Sequence, residues 1–270
     1  MSEIKDLIEE AKKQLLHLQL LGVEGIKLTD QIEIPTIKPA TTKSIAIPLR
    51  VETPLPVSLP KKQPGVSTSG LFGNVGPAPE TLAASTETFE LIHEEIGDCT
   101  RCPLHQQRTT VVHTEGNRKA RLMFVGEAPG ADEDIQARPF VGRAGQLLTK
   151  IIEAIGFKRE EVLIGNVNRC RPPGNRQPTT EEAAMCKPFL LREIAVVQPE
   201  VIVVLGNTAI QNLLDTRVGV SKLRGTFQNY KGIKVMPTFH PAYLLRDPSK
   251  KRETWEDLKK VRAYLDSTAK

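Results

Sequence analysis

Four cysteines, Cys99, Cys102, Cys170 and Cys186, fall as a C-x2-C pair, a gap of 67 residues, and then a C-x15-C pair. Thiols spaced this way suit thiolate ligation of a metal. Structural zinc sites more often use two CxxC pairs, or one pair with two histidines, so a single pair supports zinc only fairly. Four thiolates gathered from distant positions also suit an iron–sulfur cluster, and Pro103 follows Cys102 as proline often follows a cluster cysteine in ferredoxins. A cluster is the preferred reading; zinc and four unrelated buried thiols are the others.

A second group of residues has the chemistry to hold a planar polar ligand. Gly126-Glu127-Ala128-Pro129-Gly130 lacks the Lys-Ser/Thr of a P-loop and the spacing of a dinucleotide fingerprint. It suits a rigid turn whose backbone N–H groups face a ligand, with the carboxylates of Glu127, Asp132, Glu133 and Asp134 beside it. A solvated acidic loop is the plainer alternative. Phe140 in RPFVGRAG offers either core packing or a flat stacking surface. Asn166 in GNVNRC either caps a loop or presents one acceptor and one donor to a heterocycle. His240, before Pro241, is either a structural imidazole or a polar group facing a crevice.

These residues need elements to bring them together. Apolar runs at 121–126, 162–167, 201–206 and 233–237 predict four buried strands, and 143–156, 179–197, 207–215 and 250–267 predict helices between and after them. The alternation predicts an α/β, three-layer domain with a central four-stranded parallel sheet. Every candidate segment (GEAPGADED, NVNRCRPPGNR, GNTA, TFHPAYLLR) directly follows a strand. In open parallel sheets ligands bind outside the carboxyl ends of the strands, so the four segments are expected to converge.

The rest of the chain sets the context. Its 270 residues, 39% hydrophobic and 26% charged, match an ordinary globular protein, and no run of eighteen apolar residues exists for a membrane helix. Residues 1–22 show apolar positions at helical spacing and mix acids with leucines, which predicts an amphipathic helix and no signal peptide. Nine of the twenty prolines lie between Pro35 and Pro79, so 23–85 is expected to be a disordered Pro/Thr/Ser-rich linker, leaving 86–270 as the folded domain. The helix over 1–22 either docks another protein or packs on nothing. Few cysteines and no leader point to the cytoplasm. The entire +5 excess of charge lies beyond residue 85, which permits a polyanionic partner.

GEAPGADED, PFVGRAG, NVNRCRPPGNRQP and TFHPAYLLR, with the cysteine spacing, make residues 86–267 resemble the family 4 uracil-DNA glycosylases, the iron–sulfur branch of that superfamily. The resemblance implies a 4Fe-4S cluster on the four cysteines, with a structural role, and hydrolysis of the N-glycosidic bond of deoxyuridine in single- or double-stranded DNA during base excision repair, by a monomer. It further implies that Phe140 stacks on an everted uracil, Asn166 reads its N3–H and O4, Glu133 crowds C5 against thymine, and His240 donates toward O2. Backbone amides from Gly126 to Ala128 would add donors. Superfamily members with an aspartate in the first motif use it to activate water; Ala128 stands there, which leaves the general base unassigned, with Glu127 the nearest carboxylate and a largely dissociative path with weak water activation equally open. Leu244 and Leu245 would form an apolar wedge into DNA, or the first turn of a buried helix, and Arg171, Arg176 and Arg246 would meet phosphates. Two rivals stand beside this reading. One is a superfamily member that forms a uracil-DNA adduct through a histidine in a basic insertion, although no such insertion follows PFVGRAGQLL. The other is a non-enzymatic iron–sulfur tether of replication or repair partners.

Overall fold

Among residues 81–269, which the computed structural model describes, the four apolar runs form parallel strands because Val, Ile, Leu and Phe fill both faces of a sheet covered on both sides. The elements, in chain order, are α1 (Phe89–Ile96), β1 (Glu115–Gly116), β2 (Leu122–Gly126), α2 (Ala131–Gln136), α3 (Arg143–Ala154), β3 (Leu163–Asn166), α4 (Thr180–Val197), β4 (Val201–Leu205), α5 (Asn207–Leu214), α6 (Val220–Leu223), β5 (Gln228–Tyr230), β6 (Ile233–Thr238), α7 (Pro241–Arg246) and α8 (Lys251–Ser267). The expected helix over 1–22 lies outside the described residues, as does nearly all of the expected linker. The backbone is hydrogen-bonded to the domain from Leu82, whose N–H donates to Lys231 O, and from Ser85, whose N–H donates to Ala195 O.

Strand order is β1-β3-β2-β4-β6-β5. The expected four-stranded parallel sheet is therefore the centre of a six-stranded mixed sheet. β1 pairs antiparallel with β3 and β5 antiparallel with β6, one at each edge. Two or three residues carry too little periodicity to announce a strand, which is why the sequence predicts only the central four.

Adjacent strand residues face opposite layers. Met123, Val125, Ile202, Val204 and Val235 pack with Leu190, Ile194 and Ile210 from α4 and α5. Leu122, Phe124, Val201, Val203 and Met236 pack with Leu148, Ile152, Leu258 and Val261 from α3 and α8. Burying these chains supplies the driving force, at about 1.5–3 kcal/mol per large side chain. The helix starts are locally encoded. Thr179 Oγ1 accepts from Glu182 N–H while the Glu182 carboxylate accepts from Thr179 N–H, a reciprocal cap that begins α4.

One ion pair crosses the layer holding α4. Arg169, just beyond β3, is paired with Glu193 of α4, and both are at most 1% exposed. Thr114 Oγ1 bridges them, accepting from Arg169 and donating to Glu193 Oε2. Removing one partner of such a pair strands a buried charge, so the loop after β3 is held firmly against α4.

Candidate active site

β2 and β4 are neighbours, and the chain leaves β2 over one face of the sheet through α3 and β4 over the other through α5, which opens a crevice at the strands' carboxyl ends. A cavity of about 660 Å³ occupies it. Glu127 and Ala128 follow β2, Asn166 ends β3, Asn207 and Thr208 follow β4, and His240 follows β6; all line this cavity, with Phe140. The convergence expected from strand placement is found.

Parallel pairing sets Gly126 directly beside Asn166. A methyl group on Gly126 would lie 2.4 Å from both Asn166 Oδ1 and Phe140 Cζ, so glycine is what lets amide and ring close on the same spot. Asn166 is 3% exposed and its Oδ1 has no hydrogen-bond partner. An orphaned buried acceptor costs about 1–3 kcal/mol unless something satisfies it. The rings of Phe140 and His240 stand 5.7 Å apart, tilted by 32°.

His240 is the N-cap of α7. Its Nδ1 accepts from Ala242 N–H at 3.1 Å, so in the neutral ring the proton sits on Nε2. Burial, helped by the positive charge of Arg246, pushes its pKa down to about 4. At neutral pH it is a neutral donor. Glu127 moves the other way: burial raises its carboxyl above the ordinary value, and a hydrogen bond from Thr208 only partly offsets this.

The remaining expected site residues divide. Glu133 reaches the cavity wall, but its carboxylate is engaged by backbone: Oε1 accepts from Val141 and Gly142 N–H, each at 2.9 Å, and Oε2 from Gly130 N–H at 3.1 Å. It braces the loop carrying Phe140. Leu244 is 1% exposed inside α7, so it packs within its own domain and the expected two-leucine wedge reduces to Leu245, which is 38% exposed. Arg246 lines the cavity rim. Arg176 lines it too, already paired with Glu182 at 2.6 and 2.8 Å, whereas Arg171 donates to Asn175 Oδ1 and lies outside the cavity lining. Thr208, which holds Glu127, and Asn207, whose Oδ1 accepts from Val220 N–H, are site residues that the sequence reading quoted in GNTA without singling them out.

The four cysteines, all unbridged, line a second pocket between the end of α1, the loop after β3 and α4. Arg101 donates to Cys99 Sγ at 3.4 Å, Arg108 to Cys170 Sγ at 3.4 Å, and the Arg169 N–H to Cys186 Sγ at 3.3 Å. Burial raises the thiol pKa of Cys102 and Cys170, and pushes that of Cys186 up to about 12. Such burial keeps sulfur protonated unless a cation takes the proton's place, while three N–H donors on sulfur are what bound thiolates use. Among the described residues, no three His, Cys, Asp or Glu side chains close on a single ion.

Gly126→Ala is expected to over-pack the Asn166–Phe140 approach and cost about 1–3 kcal/mol of stability. A urea melt checks this, and an unchanged midpoint would mean that the two side chains have room to part.

A family model described as the Uracil DNA glycosylase superfamily matches residues 113–259. The type-4 uracil-DNA glycosylase of Thermotoga maritima is 49% identical over 183 residues, covering 66% of this chain and 95% of that protein. Its namesake in Archaeoglobus fulgidus is 43% identical, covering 65% of this chain and 92% of that protein, and the one in Saccharolobus solfataricus is 41% identical, covering 67% and 88%. With the cavity at the strand ends and four thiols in one pocket, this likeness makes the chain a member of the uracil-DNA glycosylase superfamily, in its type-4 group.

Proposed function

We propose that this chain is a DNA-repair glycosylase that everts deoxyuridine from DNA and hydrolyses its N-glycosidic bond, releasing uracil and leaving an abasic site. The observation that carries it is the buried, unpartnered Oδ1 of Asn166 in a cavity that also presents an aromatic ring and a neutral imidazole. Uracil offers the complement: N3–H donates to Oδ1 and O4 accepts from Nδ2. Cytosine reverses both groups, so each hydrogen bond becomes an opposition of like polarity, at about 1–3 kcal/mol apiece. Phe140 stacks on the everted ring, which offsets part of the few kcal/mol needed for unstacking.

Cleavage of the C1′–N1 bond leaves negative charge on uracil and positive character on the sugar. His240 Nε2–H donates to O2, where that charge develops, as a fixed donor of the oxyanion-hole kind. Water bonds C1′ as the C1′–N1 bond breaks, and its proton passes to Glu127 and on to the departing base. Arg246, in the cavity lining, meets phosphate, and the exposed Leu245 beside it in sequence fills the vacated base stack. Cys99, Cys102, Cys170 and Cys186, which line one pocket, would hold a 4Fe-4S cluster, whose contribution would be to cross-link the segment after α1, the loop after β3 and α4. The same reading places a monomer in the reducing cytoplasm, with residues 1–22 available to a protein partner. Among the described residues no helix is long and apolar enough to cross a membrane.

The direct test is a uracil-containing oligonucleotide incubated with the protein and then treated with alkali. Strand scission is expected; an alkali-stable shifted band would mean an adduct former, and an unchanged strand a tether. In the same assay Asn166→Asp is expected to narrow the preference for uracil over cytosine at least tenfold, since the amide donor is gone; undiminished preference would remove Asn166 from base reading.

The pH dependence follows from the two shifts. Glu127 acts as carboxylate, so its raised pKa sets an acid limb above the ordinary glutamate value of 4.5. His240 acts as the neutral ring and gains its proton only near pH 4. Single-turnover rates of Glu127→Gln, lower throughout, are expected to hold down to about this second value, and a limb near 6.5 in that variant, which has no titrating group at 127, would contradict the neutral-imidazole role.

Freshly purified protein is expected to be brown, with broad visible absorption that Cys170→Ala loses together with soluble yield. A colourless zinc-containing protein would overturn the cluster.

A further inference from the structure

Phe140 holds a backbone conformation that its side chain does not favour. Its φ is +53°, in the left-handed region that a bulky residue keeps only when its surroundings over-determine it. Three contacts supply that constraint. Glu133 takes the two N–H groups that follow, at Val141 and Gly142. Gly145, in the first turn of α3, packs so close that a methyl group there would lie 1.9 Å from the carbonyl carbon and oxygen of Phe140. The third contact comes from Arg159, in the turn beyond the far end of α3. Its Nη2 donates to Pro139 O at 2.6 Å, the carbonyl of the peptide that enters Phe140.

Arg159 is itself aimed. Its Nη1 donates to Thr149 Oγ1 at 3.2 Å, and that hydroxyl donates to Gly145 O at 3.2 Å, so the guanidinium spans from the start of the Phe140 loop to the middle of α3. The peptide units on either side of Phe140 are thus gripped by opposite charges, guanidinium on the carbonyl before it and carboxylate on the amides after it. Arg159 does not line the cavity. Its route to the site runs through the backbone of the stacking ring.

We propose that Arg159 is a positioning residue for base recognition: it holds the Phe140 ring in the pose that stacks on the everted base. This rests on Phe140 being the stacking ring, and the test separates the two claims. Cleavage of a uracil oligonucleotide is measured for Arg159→Met, Phe140→Ala and the double variant, with Arg159→Lys as the conservative change and melting temperature recorded for each. A charge-assisted hydrogen bond is of the size that shifts an equilibrium roughly tenfold. Arg159→Met is expected to lower kcat/KM about tenfold in the native background and less than about twofold beside Phe140→Ala, because the ring through which it acts is gone. The accompanying loss of melting temperature persists in both backgrounds, and Arg159→Lys recovers most of the activity. Equal losses with and without the ring, or none from Arg159→Met, overturn the positioning role while leaving stacking intact. A Phe140→Ala protein as active as the native one overturns stacking itself and the Arg159 claim with it. If Arg159→Met fails to fold, Thr149→Val, which withdraws the hydroxyl that aims the guanidinium, enters the cycle and is judged by the same non-additivity.

Discussion

The arrangement depends on one missing methyl group. Gly126 ends β2 opposite Asn166, and only the bare Cα lets the amide oxygen and the edge of Phe140 occupy the same 2.4 Å neighbourhood. From that approach follow the burial of Oδ1, its lack of a partner and the placement of the ring beside it. A side chain at this position would force apart two groups whose joint presentation makes a pocket for a flat polar base. Under the proposed function this unpaired acceptor is the one that the N3–H of uracil satisfies.

Holding such a site requires rigid neighbours, and the structure ties them at several points. Asp134, buried at the end of the same motif, accepts from Thr109 and Thr110 N–H, which binds the segment after the first cysteine pair to α2. Asn168 Nδ2 donates to Glu182 O, and Glu182 holds Arg176 at the cavity rim. Cys186 follows one turn later in α4. The thiol pocket and the cavity at the strand ends therefore share the loop after β3, and α4 is tied to both, through Cys186 in the one and through the hold of Glu182 on Arg176 in the other.

The large elements were legible because their signals are redundant. Four apolar runs, each followed by a glycine- or asparagine-containing segment, suffice to predict parallel strands and a site at their carboxyl ends. α1 escaped that reading, although FELIHEEI follows a capping threonine, and α7 entered it only as the alternative for Leu244 and Leu245, although it opens on Pro241, a residue at home in a first helical turn. Phe140, Asn166 and His240 carried their chemistry in their residue types, and the motif resemblance assigned their roles. Arg159 had no such signal. In KREE it looks like one more solvated charge, and its partner is a main-chain carbonyl, which no residue letter records. Glu133 was visible as a carboxylate near the cavity, but its engagement by three backbone amides depends on a turn of the chain that spacing does not reveal.

The ladder between β2 and β3 runs on past the strand ends, with Val167 N–H donating to Gly126 O and Asn168 N–H to Glu127 O. Side chains alternate along β3, so a slip of one step would swing the reading amide out of the crevice and offer hydrogen from Gly165, or the branched alkyl of Val167, in its place. If Asn166 reads the base as proposed, recognition is thereby bound to a count of peptide units: bases are distinguished only while two neighbouring strands stay in step.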